Sequence, residues 1–188
     1  MVCHYADSEY HGNFRNSLYF LLFQEKRIID SMQGTLCLLI KDNKILLALK
    51  KRGFGAGKWN GPGGKVEKGE EIIDAAIRET KEEIGVEIIN PEKIGIMRFH
   101  FPYKQDWDME VHVFLVKEWR GSPEESEEMA PEWFSLDEIP YEKMWADDKF
   151  WLPRILKGEK VEADFVFKEG ETIDKHAIKV VRSFNFKN

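Results

Sequence analysis

The sequence predicts an α/β fold: a mixed β-sheet with helices on its faces. Three observations lead there. Apolar runs of strand length recur from position 35 to the C-terminus, and short turn-rich breaks join several of them in antiparallel fashion. Between Gly64 and Val86 the apolar period changes to that of a helix, and a second helical stretch follows Pro140. Strands alternating with helices in this way indicate layers of helix on sheet. With 188 residues, 43% of them hydrophobic, one compact domain with a sizeable core is expected.

Charge and composition exclude several functions. A formal charge of −6 and the lack of a basic tract argue against a nucleic-acid surface. No apolar run approaches the ~20 residues that a membrane span needs. The two cysteines, Cys3 and Cys37, form neither a disulfide framework nor a metal-ligand pattern, so a reducing compartment, the cytoplasm, is expected.

Residues 1 to 31 mix His, Asn, Tyr and charge around one short apolar run, Leu18 to Phe23. That run is short for a signal-peptide core and has no basic segment before it. The segment is read as an N-terminal extension to a domain spanning 32 to 188. It is a disordered arm, an added helix, or translated sequence upstream of a start at Met32, and it is given no function.

From Thr35, TLCLLI and ILLALKK read as strands covered on both faces, because their apolar runs are nearly continuous. Asp42-Asn43 between them suits a hairpin turn. Lys50-Lys51-Arg52 and then Gly53-Phe54-Gly55-Ala56-Gly57 form a basic, then flexible, loop. It is either an ordinary surface loop or a pocket rim with Phe54 as an aromatic wall. VEII and IGIMRFHF read as further strands, broken at Asn90-Pro91. MEVHVFLVKEW reads as one long strand, with His112 as a packed or edge residue. Gly121 to Pro131 is an acidic loop, EWFSLDEIP a strand entering a turn, and Pro140 to Leu156 one or two short helices. VEADFVFK and IKVVRSFNF close the chain as strands.

The chemistry concentrates in GKVEKGEEIIDAAIRETKEEIGV, residues 64 to 86. On a helix, Ile73, Ala76, Ile77, Thr80 and Ile84 make an apolar stripe, while Glu79, Glu82 and Glu83 lie together on its flank. Carboxylates three and four residues apart repel unless a cation sits among them. Oxygen ligands without His or Cys favour a hard ion, Mg²⁺ or Mn²⁺, over zinc. A solvated acidic face is the alternative. The turn-rich loop Trp59-Asn60-Gly61-Pro62-Gly63-Gly64 just before it could bring backbone groups close to a ligand.

The spacing Gly64, Glu70, Arg78-Glu79, Glu82-Glu83, Gly85, Val86 resembles the Nudix box. Beyond it, KKRGFGAGKWNGPGGKVEKGE, MEVHVF and MWADDKFWLP resemble the oxidised-purine nucleoside triphosphatase branch of that family, over nearly all of the chain after residue 31. The resemblance implies an α/β/α sandwich. It also implies Mg²⁺-dependent hydrolysis of 8-oxo-dGTP, 2-hydroxy-dATP and similar triphosphates to monophosphate and pyrophosphate, which cleanses the nucleotide pool. The expected substrate is a small molecule and the protein a monomer, with no nucleic-acid or membrane partner. Two positions depart from the pattern: Thr80 replaces an aliphatic residue, and Pro62 a bulkier apolar one.

Carried over position by position, the resemblance places Glu79, Glu82, Glu83, Glu128 and a carbonyl near Gly63 at the metal. Arg78 joins the catalytic helix as an ion-pair partner of Glu70, and Lys50 is a candidate phosphate contact. The implied substrate pocket comprises Thr35, Phe54, Asn60, Phe99, Phe101, Met109, Trp145, Asp147, Asp148 and Trp151. Asn60 can donate and accept toward a purine edge. Adjacent Asp147 and Asp148 can share a proton, leaving one donor and one acceptor. Read from the residues alone, the apolar members are core and the aspartates a helix N-terminal charge pair. Other Nudix substrates (dihydroneopterin triphosphate, a dinucleoside polyphosphate, ADP-ribose) and a non-catalytic nucleotide sensor are the rival readings.

Overall fold

The computed structural model describes residues 32–170 and 172–184. The N-terminal extension, with Cys3 and the Leu18 to Phe23 run, lies outside the described residues, as does the end of the last predicted strand.

The described residues begin with β1 (Met32–Lys41) and β2 (Lys44–Lys50). Asp42 and Asn43 between them both take positive φ, 49° and 59°, which matches a two-residue hairpin turn. A two-residue strand β3 (Trp59–Asn60) precedes helix α1 (Ile72–Ile84), which ends at Gly85 in the left-handed conformation, φ 75°. Next come β4 (Glu87–Ile89), β5 (Glu92–His100), β6 (Met109–Val116), β7 (Glu118–Arg120) and β8 (Met129–Ser135). Helix α2 (Asp148–Leu156) then leads into the hairpin of β9 (Lys160–Lys168) and β10 (Thr172–Val181).

One mixed sheet runs β10-β9-β5-β6-β1-β2-β3, with β8 also paired to β2. The pairs β1–β6 and β5–β9 are parallel and the others antiparallel. The single long strand expected from MEVHVFLVKEW is instead two. Lys117 breaks it, and β7 leaves the main sheet to pair with β4, placing Trp119 opposite Ile88. Trp119 then stacks on Trp133 of β8, 5.9 Å between centroids, which supplies the apolar reward for leaving.

Strict alternation along β1 and β2 divides the interior into two cores. Leu36, Leu38, Ile45 and Leu47 face the side of α2, where Trp151, Leu152 and Ile155 meet them. Cys37, Leu39, Leu46 and Ala48 face the side of α1, meeting Ala76 and Ile84. Both faces of the central strands are therefore covered, as their unbroken apolar runs predicted, and the layers are α/β/α. Truncating a residue such as Leu47 to Ala costs about 2–5 kcal/mol at a site this closed.

The helical stripe is rotated from the expected one. Ile73 is exposed at 44%, while Ala75, Ala76, Thr80, Glu83 and Ile84 are buried. Thr80 is fully buried and satisfies its hydroxyl inside the helix, Oγ1 donating to the Ala76 carbonyl at 2.7 Å. Cys37 lies nearby as a free buried thiol, and burial pushes its pKa up to about 12. His112 is a packed residue, as read from sequence: it is 3% exposed, and burial drives its pKa down to about 3.

Candidate active site

The loop before α1 is built on β1. The Cys37 and Thr35 amides donate to the carbonyls of Pro62 and Gly64, each at 2.8 Å, and Val66 donates to Gln33 at 3.0 Å. Pro62 thus contributes its carbonyl, and that bond needs no N–H from the proline. The loop lies so close to β1 that glycine is required: a Cβ on Gly63, whose φ is +148°, would stand 2.2 Å from the Thr35 carbonyl oxygen. A Cβ on Gly64 would stand 2.2 Å from Glu79 Oε2. The Glu79 carboxylate therefore rests on bare glycine backbone.

Arg78 is the hub of the helix–loop junction. Its Nε and Nη2 grip Glu70 at 2.8 and 2.9 Å, and Nη2 also donates to the Lys65 carbonyl at 3.1 Å. Its Nη1 reaches Glu79 at 2.8 Å and Glu82 at 3.2 Å. The ion pair expected between Arg78 and Glu70 is formed, and that guanidinium holds the Glu70 pKa down at about 2.

Glu83 occupies a different environment. Its side chain is 5% exposed, with Oε2 accepting from the Gly63 amide at 2.7 Å and Oε1 lying 3.3 Å from Lys50 Nζ. Burial nevertheless raises its pKa above the ordinary glutamate value. The shared flank expected for Glu79, Glu82 and Glu83 is thus graded, from buried Glu83 to Glu82 with its side chain 60% exposed. Glu128 approaches from the acidic loop, fixed by Arg52 Nη2 at 2.7 Å, and that guanidinium lowers its pKa. The loop itself is tied down by the Lys51 amide donating to the Glu128 carbonyl at 2.8 Å.

Among the described residues, no three of His, Cys, Asp or Glu already converge at metal-ligand spacing. Arg78, Lys50 and Arg52 hold these carboxylates instead. The donor set still fits a hard cation: carboxylate oxygens only, one of them buried, beside a loop whose glycines leave room.

On the α2 side, Asp147 and Asp148 are 3% and 2% exposed. Asp147 Oδ2 accepts from the Trp151 indole Nε1–H at 2.9 Å, and Asp148 Oδ2 accepts from the Trp145 amide at 2.9 Å. Burial raises both; Asp147 stands at about 6, and the Asp147 charge pushes Asp148 up further. The helix-terminal charge pair read from the residues alone is therefore a buried acid pair. Above it Phe54 stacks on Trp145, 4.9 Å between centroids, and meets Trp107 edge-on at 5.2 Å. The two aromatic walls expected to flank a base lie directly against each other.

Phe101 and Trp151 are buried in the α2-side core, with Phe99 packed against it, and Met109 is half-buried at the start of β6. Asn60 turns its side-chain oxygen to the Gly61 amide at 3.0 Å. Thr35 Oγ1 lies 3.4 Å from both the amide and the carbonyl of Gly64, so it faces the glycine loop. The predicted residues therefore gather as two groups on opposite faces of the sheet, joined by the 59–64 loop. Trp59 of that loop packs on the α2-side core, and its Gly63 amide reaches Glu83.

The model of the NUDIX domain matches residues 30–155 of this sequence. The chain belongs to the Nudix hydrolase family. Oxidized purine nucleoside triphosphate hydrolase of Mus musculus is 44% identical over 150 residues, 80% of this Nudix chain and 96% of the mouse protein. The protein of the same name from Danio rerio is also 44% identical, over 77% of this chain and 92% of its own length. The crystal structure of a MutT protein from Bacillus halodurans superposes with a TM-score of 0.69 at 28% identity, covering 78% of this chain and 97% of that one. Nudix hydrolases work with divalent metal cations. Among the described residues of this one, no helix is long and apolar enough to cross a membrane.

Sequence reasoning missed Trp107 and Lys58. Trp107 packs against Phe54 and Phe101 and carries Lys104 Nζ 3.8 Å above its ring. Lys58 Nζ lies over the Trp145 ring at 4.8 Å. Trp107 sits in a charged loop with no period to read. Lys58 meets a partner far along the chain, which no local pattern signals.

Proposed function

We propose that this Nudix hydrolase cleaves oxidised purine nucleoside triphosphates, 8-oxo-dGTP and 2-hydroxy-dATP among them, to the monophosphate and pyrophosphate, with Mg²⁺ as its metal and Mn²⁺ as a substitute. The observation that carries the reading is the buried Asp147–Asp148 pair beneath Trp145. Two adjacent carboxyls in a low-dielectric site resist ionising together and so retain a proton between them, which offers a purine edge one donor and one acceptor. The mouse and zebrafish relatives bear the name of that activity.

Glu79, Glu82 and Glu83, with Glu128 and the Gly63 carbonyl, would hold the cation. Bound there, it would neutralise phosphate charge and, as a Lewis acid on a phosphoryl oxygen, make the phosphorus more open to attack by water. The Gly63 amide orients the Glu83 carboxylate, and Arg78 locks the helix to its loop through Glu70. Lys50, 3.3 Å from Glu83, is the side-chain cation that would contact a phosphate at this site. Trp145 would give the base a flat wall in place of Phe54, which now stacks on it; Phe99, Phe101 and Trp151, with half-buried Met109, would form the apolar floor, and Asn60 and Thr35 would line the loop side. The reading includes a monomer acting in the cytoplasm.

Product analysis tests the reaction. One pyrophosphate per 8-oxo-dGTP consumed, no orthophosphate, and no turnover after chelation of divalent cations are expected. Orthophosphate as the first product would overturn the assignment.

A further inference from the structure

Lys58 stands on the Trp145 ring without belonging to the residues the family pattern singles out. Its backbone is fixed in the turn before β3, where its carbonyl accepts from the Lys50 amide at 3.0 Å. Its ammonium lies 4.8 Å from the Trp145 ring centroid. Trp145 in turn donates its backbone amide to Asp148, so one residue carries the cation on its ring and the carboxylate on its amide. Lys58 also borders a cavity of about 240 Å³, shared with Tyr141, Met144 and Ala146 from the segment leading into α2. The chain here is short and constrained, with Gly55 and Gly57 in left-handed conformations on either side of Ala56 and a Cβ on Gly55 only 3.0 Å from the Trp145 ring.

A cation over an aromatic face is attracted by the ring quadrupole, and that attraction holds it in place. Placed there, Lys58 acts electrostatically on both aspartates, favouring their charged forms. Among the described residues, Tyr141, whose phenol is itself raised by burial and by Asp148, faces the pair, and Glu142 and Lys149 line the same cavity as Lys58. Of the two cations, Lys58 is the one seated on the ring that a base would share.

We propose that Lys58 is a positioning residue of the base pocket: held on Trp145, its charge sets how the proton is shared between Asp147 and Asp148, and so the balance between oxidised guanine and oxidised adenine nucleotides. The inference rests on the oxidised-purine reading above. The two bases present donors and acceptors in different order along their edges, so a change in where the proton sits favours one at the expense of the other.

The test follows pH profiles of kcat/KM for 8-oxo-dGTP and 2-hydroxy-dATP in the wild type, Lys58→Gln, Lys58→Met and Lys58→Arg. In parallel, the Trp151 indole N–H resonance, which reports the Asp147 carboxylate, is titrated in nucleotide-free protein. Loss of the cation is expected to move the indole midpoint up by roughly half a pH unit or more. The rate limb assigned to the pair should move with it, and the ratio of the two substrates should change by about threefold or more. Lys58→Arg restores all three. An unmoved indole titration, or a uniform rise in KM for both nucleotides with unchanged profiles, overturns the proposal and leaves Lys58 a simple phosphate or surface contact. If the wild type turns over neither oxidised nucleotide, the substrate reading fails while the indole titration still decides the electrostatic role of Lys58.

Discussion

The two faces of the sheet hold their carboxylates with different partners, although burial raises Glu83 on one as it raises the aspartates on the other. On the α1 side, Glu70, Glu79, Glu82, Glu83 and Glu128 each touch a lysine or arginine, and the guanidinium partners pull Glu70 and Glu128 below their ordinary pKa. On the α2 side, Asp147 and Asp148 are buried, accept from the Trp151 indole and the Trp145 amide, and are raised. The first arrangement stores negative charge for a cation. The second stores a proton. One fold thus separates the phosphate end of a nucleotide, which needs charge neutralised, from the base end, which needs hydrogen bonds read.

The largest expected effect comes from the charged side. Glu83→Gln keeps the shape and the Gly63 contact but removes the buried negative charge. Pyrophosphate release should fall on the order of 10²-fold or more, with nucleotide binding retained by equilibrium dialysis. A rate near wild type would remove Glu83 from the metal set. On the proton side, Asp148→Asn fixes one tautomeric choice and should cost about 10–100-fold on the disfavoured oxidised purine, read as kcat/KM for each. Unchanged relative rates would show that the pair does not read the base.

Stability against pH sharpens the same contrast. Asp147, raised from 3.8 to about 6, binds its proton more tightly in the folded chain. The stability it gives is complete below about pH 3.8 and is lost as pH rises through 6. Asp147→Asn should therefore be more stable than wild type at pH 8, by on the order of 1–3 kcal/mol in urea melts. Glu70, lowered from 4.5 to about 2, works the other way. Its contribution is complete above pH 4.5 and is lost as pH falls through 2, so Arg78→Gln should flatten that acid limb. Melts in which both variants shift in the same pH range would break the comparison. The smallest effect belongs to Phe54→Ala, which frees the Trp145 face at the cost of one aromatic contact, about 0.5–1.5 kcal/mol, or a few-fold in KM.

Much of this was legible in the sequence. The hairpin at Asp42-Asn43 and the doubly covered β1 and β2 follow from local pattern, and the Arg78–Glu70 pair from the family resemblance. The rotation of α1 was not, because Ile73 and Ile72 compete for the buried stripe and only tertiary packing puts Ile72 against it, leaving Ile73 outside. Nor was the split after Lys117, since β7 is fixed by a partner, β4, far away in sequence. The depth of Glu83 and of the aspartates was invisible for the same reason: a charge pattern does not say which carboxylate the fold will cover.

The most direct test of the central claim compares pyrophosphate release, with Mg²⁺ present, from 8-oxo-dGTP and 2-hydroxy-dATP against dGTP and dATP. A preference for the oxidised bases of about tenfold or more, roughly 1.4 kcal/mol of transition-state binding, is expected. Equal or faster turnover of the normal nucleotides would contradict it.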